Sequence, residues 1–467
     1  MSKKYRIEKD SMGEVKVPVN AYYGAQTQRA VENFPVSRIQ MPTEFIKAVA
    51  MIKLSAAKVN MKLGFLDKKI AKAIIKAAEE IIEGKFDDQF PVDIFQTGSG
   101  TSTNMNVNEV IATRANEILT GKRVTKNPVH PNDHVNFGQS SNDVIPTAIH
   151  VSSFLALKNN LYPALKKLEK ILAKKEKEFD KVIKIGRTHL QDATPIRLGQ
   201  EFSGYKTMIK HGIKRVQKTE DFLSELAIGG TAVGTGLNTH KDFGKKVARE
   251  LSKLTGIKFK EAENHFEAQS TKDVIVELSG ALKTVAVSLM KIANDIRWMG
   301  SGPRCGLGEI FIPPVQPGSS IMPGKVNPVI AESVCQVATQ VIGNDTTITL
   351  AGQSGNFELN VMMPLIAYNI LNSIKILSNS CNIFVDKCLK DLKANEEKCH
   401  ECIEKSLAMV TALVPKIGYD RAAEIAKEAY EKNKTIRELL IEKKILSKKE
   451  IDEILNPLKM TEGGIIQ

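Results

Sequence analysis

Aromatic residues are scarce in this chain: Phe, Tyr and Trp make up 6% of 467 residues, with a single Trp. Single-stranded nucleic acids bind on stacked rings, so that class of partner finds little support here. Cysteine is sparse as well. The six cysteines, at 305, 335, 381, 388, 399 and 402, follow no regular spacing, which fits reduced thiols in a cytosolic protein better than a disulfide framework. No apolar run approaches the roughly 18 residues that cross a bilayer. The opening MSKKYRIEKDSMGEV lacks the apolar segment that a secretory or transit signal requires. Alternating strand patterns are missing beyond the first forty residues, and so are low-complexity linkers and fixed-period repeats.

What is present is mostly helix. Leu278, Leu282, Val285, Leu289, Ile292 and Ile296 step by three and four over five turns, and Leu161, Leu165, Leu168, Leu172 and Phe179 do much the same around Pro163. The expected fold is all-α with a central bundle of long helices. With 42% hydrophobic residues, the chain has material for two or three domains. The formal charge is +13, yet the lysines alternate with glutamates, as in KKLEKILAKKEKEF (166–179). That pattern reads as solvated helix faces and a field that attracts small anions, not as a nucleic-acid or membrane surface.

Against the helical background stand four polar, glycine-bearing segments: TGSGTSTNMNVNE (97–109), HPNDHVNFGQSSND (130–143), GRTHLQDATP (186–195) and GSSIMPGKVNP (318–328). A fifth, GGTAVGTGLNTH (229–240), carries fewer charged groups. Each reads as a loop, and loops on a rigid scaffold are where binding groups gather. None matches a phosphate loop, since GxxxxGK[ST] and a strand-borne GxGxxG are both missing. CHEC (399–402) has no second ligand pair for zinc and sits in helix-like charged sequence; His130 and His134 flank a PND turn rather than share a helix face. Asp295, Arg297 and Arg304, in ANDIRWMGSGPR, read as an ion-paired helix end.

Singly, each serine here is an ordinary cap or turn residue and His189 an ordinary hydrogen-bonded histidine. Pooled, Ser99, Thr101, Ser140, Ser141, Thr188, Ser319 and Ser320, the amides Asn142 and Asn327, Lys325 and His189 make a donor-rich set suited to carboxylates. Pro323 and Pro328 fix the backbone around Lys325 and Asn327, which lie two residues apart and can face one anion.

GSSIMPGKVNP resembles the signature loop GSSxMPxKxNP of the fumarase/aspartase superfamily of lyases. TGSGTSTNMNVNE, HPND, GQSSND, GRTHLQDATP, GGTAVGTGLNTH, SGPRCGLGEI and SGNFELNV (354–361) follow in the order found in class II fumarate hydratases, from about Tyr5 to Met460. The resemblance implies a three-domain, all-α fold, with an N-terminal part over 1–140, a central bundle over 141–395 and a small C-terminal part over 396–467. In the family the central bundles join into the multi-helix core of a homotetramer. It also implies a reversible hydration of fumarate to malate without cofactor or metal.

By the same resemblance Ser319 is the base, and Lys325 and Asn327 stabilise an aci-carboxylate intermediate. His189, oriented by Glu332, handles the water. Ser99, Gly100, Thr101, Ser140, Ser141, Asn142, Thr188, Ser320 and Val326, with Lys325 and Asn327, hold the two carboxylates on segments that meet between subunits. A secondary dicarboxylate site is implied at His130, Pro131, Asn132 and Asp133. There the chain departs from its relatives, with Asn127 replacing an upstream basic residue, and Asp133 opposes an anion. Aspartate ammonia-lyase is the alternative. His189 after Thr188, Gly324 after Met-Pro, and QSSND favour fumarase, because expelled hydroxide needs a proton donor that ammonium does not.

Overall fold

A computed structural model describes residues 5–465. It is dominated by helices, the long ones being Thr43–Lys62, Lys68–Ile82, Thr101–Thr120, Ser141–Ala156, Tyr162–Glu178, Leu198–Gln217, Asp273–Met299, Val329–Gly352 and Met363–Phe384. Sheet is confined to two-stranded pairs among the described residues, so the all-α reading holds. The stripe from Leu278 to Ile296 is buried along its whole length, as is the stripe from Leu161 to Phe179. At the start of that second stripe, Leu157–Leu161 forms a π turn, in which the Tyr162 N–H bonds the Leu157 carbonyl. Pro163 follows at once and has no N–H to give, and the widened turn accommodates its ring within the helical path.

The chain forms two compact units, each discontinuous in sequence. The described residues up to Pro163, with Lys214–Thr284 and Thr339–Leu377, make the first. Its small buried residues Ala48, Ala56, Ala57, Ala71, Ala77 and Ala78 let Thr43–Lys62 and Lys68–Ile82 pack closely, joined through a left-handed turn at Gly64. Asp67 caps the second helix by accepting from the N–H groups of Lys69 and Ile70.

The second unit comprises Ala164–Ile213, Val285–Ala338 and the residues from Ser378 onward. Here the structure departs from the expected loop at 186–195. Ile183–Thr188 and Gln191–Arg197 form an antiparallel hairpin with a two-residue turn. A register shift between Ile185 and Arg187 interrupts the alternation, which is why no strand pattern shows in the sequence. Gly186 sits in the shift, where an added Cβ would come within 2.9 Å of the Thr194 carbonyl oxygen. Ile185 anchors the hairpin in a cluster with Ile403, Leu413, Ile425, Leu439, Leu440 and Ile451 from the short C-terminal helices. Two of those helices begin with capping boxes, Thr435 with Glu438 and Ser447 with Glu450.

Candidate active site

In the first unit two helix N-termini lie side by side. The helix Thr101–Thr120 begins after Gly100, which takes a left-handed conformation at φ 74° and provides no side-chain cap. The caps come from upstream instead: the Ser102 N–H donates to Thr97 Oγ1 at 3.2 Å and the Thr103 N–H to Gln96 Oε1 at 3.0 Å, while Ser99 Oγ and Thr101 Oγ1 lie 2.8 Å from each other at the helix start. A Cβ on Gly100 would press on Ile145, one turn into the helix Ser141–Ala156. Asn104 Nδ2 reaches Ser141 Oγ at 3.2 Å. The second helix is closed by a capping box: Ser140 Oγ accepts from the Asn142 N–H, and the Ser140 N–H donates to Asp143. Gly98 is pinned from outside. Its carbonyl accepts from the Met363 N–H at 3.0 Å, and any Cβ would collide with the Val361 carbonyl. Two predicted segments, 97–109 and 354–361, thus hold each other.

Asp143 is fully buried and also accepts from the N–H groups of Gly229 and Thr231, tying GGTAVGTGLNTH to the same helix start. Burial pushes its carboxyl up, against these N–H donors and the Lys53 charge. The Asn142 amide donates to the Ala232 carbonyl at 2.7 Å. The structure therefore brings Ser99, Gly100, Thr101, Ser140, Ser141 and Asn142 together at two helix starts.

HPND opens a π turn, Pro131–Val135. His130 Nδ1 accepts from the N–H groups of Asn132 and Asp133 at 3.2 Å, so this nitrogen carries no proton. Burial holds the His130 pKa below its usual value, consistent with a neutral ring. The approach of Asp133 to the same nitrogen, 3.4 Å, is then no ion pair.

In the second unit the segment 318–328 is an irregular loop leading into the helix Val329–Gly352. It closes on itself twice. The Gly318 N–H donates to the Lys325 carbonyl at 2.8 Å, and Asn327 Nδ2 donates to the Gly318 carbonyl at 2.6 Å. Gly318 permits this closure, since a Cβ would strike the Lys325 oxygen. Ser319 Oγ accepts from the N–H groups of Ile321 and Met322, at 3.2 and 3.0 Å. Ser320, Lys325 and Val326 are exposed, and Gly324 turns the chain with φ 79°. Lys325, Val326, Asn327 and Glu332 line a cavity of about 820 Å³ together with Asn294 and Trp298. One of the two Asn327 N–H donors is thus spent inside the loop.

Thr188 and His189 stand at the hairpin tip, exposed. His189 and Leu190 both have positive φ, 55° and 60°, which fits the tight two-residue turn and strains residues bearing a Cβ. Below the tip, Arg187 Nη1 meets Glu309 Oε1 at 2.7 Å, and buried Lys184 lies 3.3 Å from both Glu201 and Glu309. Among the described residues no hydrogen bond or ion pair joins His189 to Glu332 within one chain. The expected ion-paired end at 293–304 is present in part: Asp295 pairs with Lys291 and accepts from Tyr205, while Arg297 donates to the Asn294 amide. CHEC lies on the helix Glu396–Lys405, but Cys399 is buried and faces the Glu309 carbonyl rather than solvent.

Lys53, Asn104, Asn136 and Asp143 were not among the residues singled out from the sequence. The signal was there for Lys53. It occupies the apolar stripe Ile46, Val49, Lys53, Ala56, where an unpaired lysine has no ordinary place.

The model of the lyase family matches residues 13–343, and that of the fumarase C C-terminus matches 409–462. Class II fumarate hydratase of Xylella fastidiosa (strain Temecula1) is 53% identical over 464 residues, covering 99% of this chain and 97% of the relative. Class II fumarate hydratase of Halobacterium salinarum is 55% identical over 466 residues, covering 100% and 99%. The crystal structure of class II fumarase from Schistosoma mansoni superposes with a TM-score of 0.96 at 44% identity, over 98% of this chain and 99% of that one. The chain belongs to the lyase family, among its class II fumarate hydratases.

Proposed function

We propose that this protein adds water reversibly to fumarate, giving (S)-malate, in the cytoplasm and as a step of the tricarboxylic acid cycle. The demanding step, taken from the malate side, is removal of a C3 proton beside a carboxylate. The electron pair left behind moves into that carboxylate, which becomes a doubly charged aci-carboxylate. Expulsion of hydroxide from C2 then restores the fumarate double bond. Only groups aimed at the developing charge lower this barrier.

Ser319 is the proposed base. A serine alkoxide is ordinarily too unstable to exist near neutral pH, so the oxygen must be supported. Two backbone N–H groups already point at Ser319 Oγ, and this is the observation that best carries the mechanism. Lys325 and the second Asn327 N–H suit the aci-carboxylate, a cation and a neutral donor on one short, closed loop. His189 is assigned to the departing hydroxide, with Glu332 of another copy orienting it. The substrate carboxylates are assigned to Ser99, Gly100, Thr101, Ser140, Ser141 and Asn142 at the paired helix starts, with Thr188, Ser320 and Val326. These segments would assemble from different copies in a homotetramer, each active centre drawing on more than one subunit. The three-part division at 140 and 395 remains part of this reading. A second dicarboxylate at His130–Asp133 is its weakest part, since neutral His130 and the Asp133 carboxylate both disfavour an anion.

The test is ultraviolet absorbance of fumarate with purified protein, with and without ammonia. Loss of fumarate and formation of malate without ammonia are expected. Product formed only when ammonia is present would contradict the reading.

A further inference from the structure

Lys53 is the least explained group in the first unit. It lies in the middle of Thr43–Lys62, has no exposed surface, and carries its ammonium into the interior. Lys53 Nζ donates to Asn136 Oδ1 at 2.8 Å and to Gln139 Oε1 at 3.1 Å. Asn136 Oδ1 also accepts from Asn104 Nδ2 at 3.1 Å, and the same Asn104 amide reaches Ser141 Oγ. A continuous chain of hydrogen bonds thus runs from a buried cation to a hydroxyl at the paired helix starts. Asn108 Nδ2 also donates to Asn136 Oδ1, at 3.1 Å, and the side-chain oxygens of Asn104 and Asn108 are buried without protein partners, so the network is not saturated.

Counter-charge is limited. Thr43–Lys62 packs on Lys68–Ile82, Thr101–Thr120, Ser141–Ala156 and Phe243–Thr255. Of the buried acids on those helices, Glu80 is held by Arg114, and Glu109 by Thr27 and the backbone of 24–27. Glu250, half-buried, is paired with Lys62 and Lys253. His134 in the adjoining turn accepts from the His130 N–H and brings no charge in that state. Asp143 remains as the acid acting on Lys53, and it already receives three backbone N–H bonds. The positive charge is therefore available to an anion placed at the helix starts.

We infer that Lys53 is a positioning residue for the dicarboxylate, fixing Ser141 through Asn136 and Asn104 and adding a buried positive charge behind the carboxylate subsite. The inference rests on the assignment of that subsite to Ser99, Thr101, Ser140 and Ser141. Burial pushes the Lys53 ammonium down to about 7, with Asp143 opposing the fall. Its charge is then present below that pH and lost above it. A bound carboxylate favours the protonated form, so binding draws the pKa upward. Dicarboxylate affinity should accordingly weaken as pH rises through the Lys53 pKa.

The experiment uses succinate, a dicarboxylate that cannot react, and calorimetric Kd values from pH 6 to 9 on the full-length protein. Lys53→Met should raise Kd about tenfold at pH 6.5, the scale of one charge acting across a poorly screened interior. It should also remove the alkaline loss of affinity, and raise KM for fumarate by a larger factor than it lowers kcat. Because Lys53→Met removes the charge that faces buried Asp143, Asn136→Asp provides a nearly isosteric second variant that guards against loss of fold. It neutralises Lys53 in place, so Kd should rise at pH 6.5 and the alkaline limb should move to higher pH. A Kd and pH profile matching wild type in either folded variant would overturn the inference. Succinate binding without fumarate turnover in the wild type would instead overturn the catalytic reading, so the two failures are distinguishable.

Discussion

At the scale of single residues, the proposed chemistry turns on two side chains in very different settings. Ser319 sits in a closed loop with two N–H groups on its oxygen. His189 stands at an exposed tip on a strained backbone. A serine base is credible only if its alkoxide is stabilised, and only the structure shows the donors, because Ile321 and Met322 advertise nothing by their side chains. His189 taken singly reads as an ordinary hydrogen-bonded histidine, and its proposed acid–base role comes only from the match of its segment to the family. Its left-handed backbone was not legible, because nothing in THLQ requires φ above zero. We predict that His189→Asn, which tolerates the same backbone, lowers fumarate hydration by about 10²- to 10⁴-fold, the usual contribution of a general acid or base. Circular dichroism and thermal melting should stay near wild type. Near-normal turnover would remove His189 from the mechanism.

At the scale of elements, the sequence and the fold agree where periodicity is long and disagree where it is short. The stripe from Leu278 to Ile296 spans five turns, and its burial follows from spacing alone. The hairpin at 183–197 escaped because each strand is only six or seven residues and a register shift breaks the alternation. The polar segments were legible as loops, yet four of them prove to be helix entrances, a strand tip or strap points. Thr101 and Ser141 already belong to helices, whose starts carry the proposed carboxylate contacts. What holds those entrances is backbone contact, which sequence does not display. Gly98 shows this most clearly, as its Cα faces the Val361 carbonyl with no room for a methyl group. Gly98→Ala should destabilise the fold by about 1–3 kcal/mol through overpacking. It should also raise KM for fumarate, because Ser99 and Gly100 follow directly. A melting temperature and KM equal to wild type would show that the 97–100 segment is not held in this way.

At the scale of the whole molecule, the proposed site residues divide between segments of the two compact units, and each unit alone lacks part of the set. The first carries the proposed carboxylate donors Ser99, Thr101, Ser140 and Ser141, and the second carries Thr188, His189, Ser319, Lys325 and Asn327. On the proposed reading a complete centre assembles from different copies, so inactive subunits with unlike lesions should repair one another. The direct measurement is fumarate hydration by hybrids of two inactive variants, Asn142→Ala and Ser319→Ala, co-expressed with different affinity tags and purified through both. Each variant alone should be nearly inactive, while the hybrid should regain part of the wild-type rate, because some centres then contain both intact groups. A hybrid as inactive as its parents would contradict the shared site, and a Ser319→Ala protein with near-normal turnover would contradict the base on which the mechanism rests.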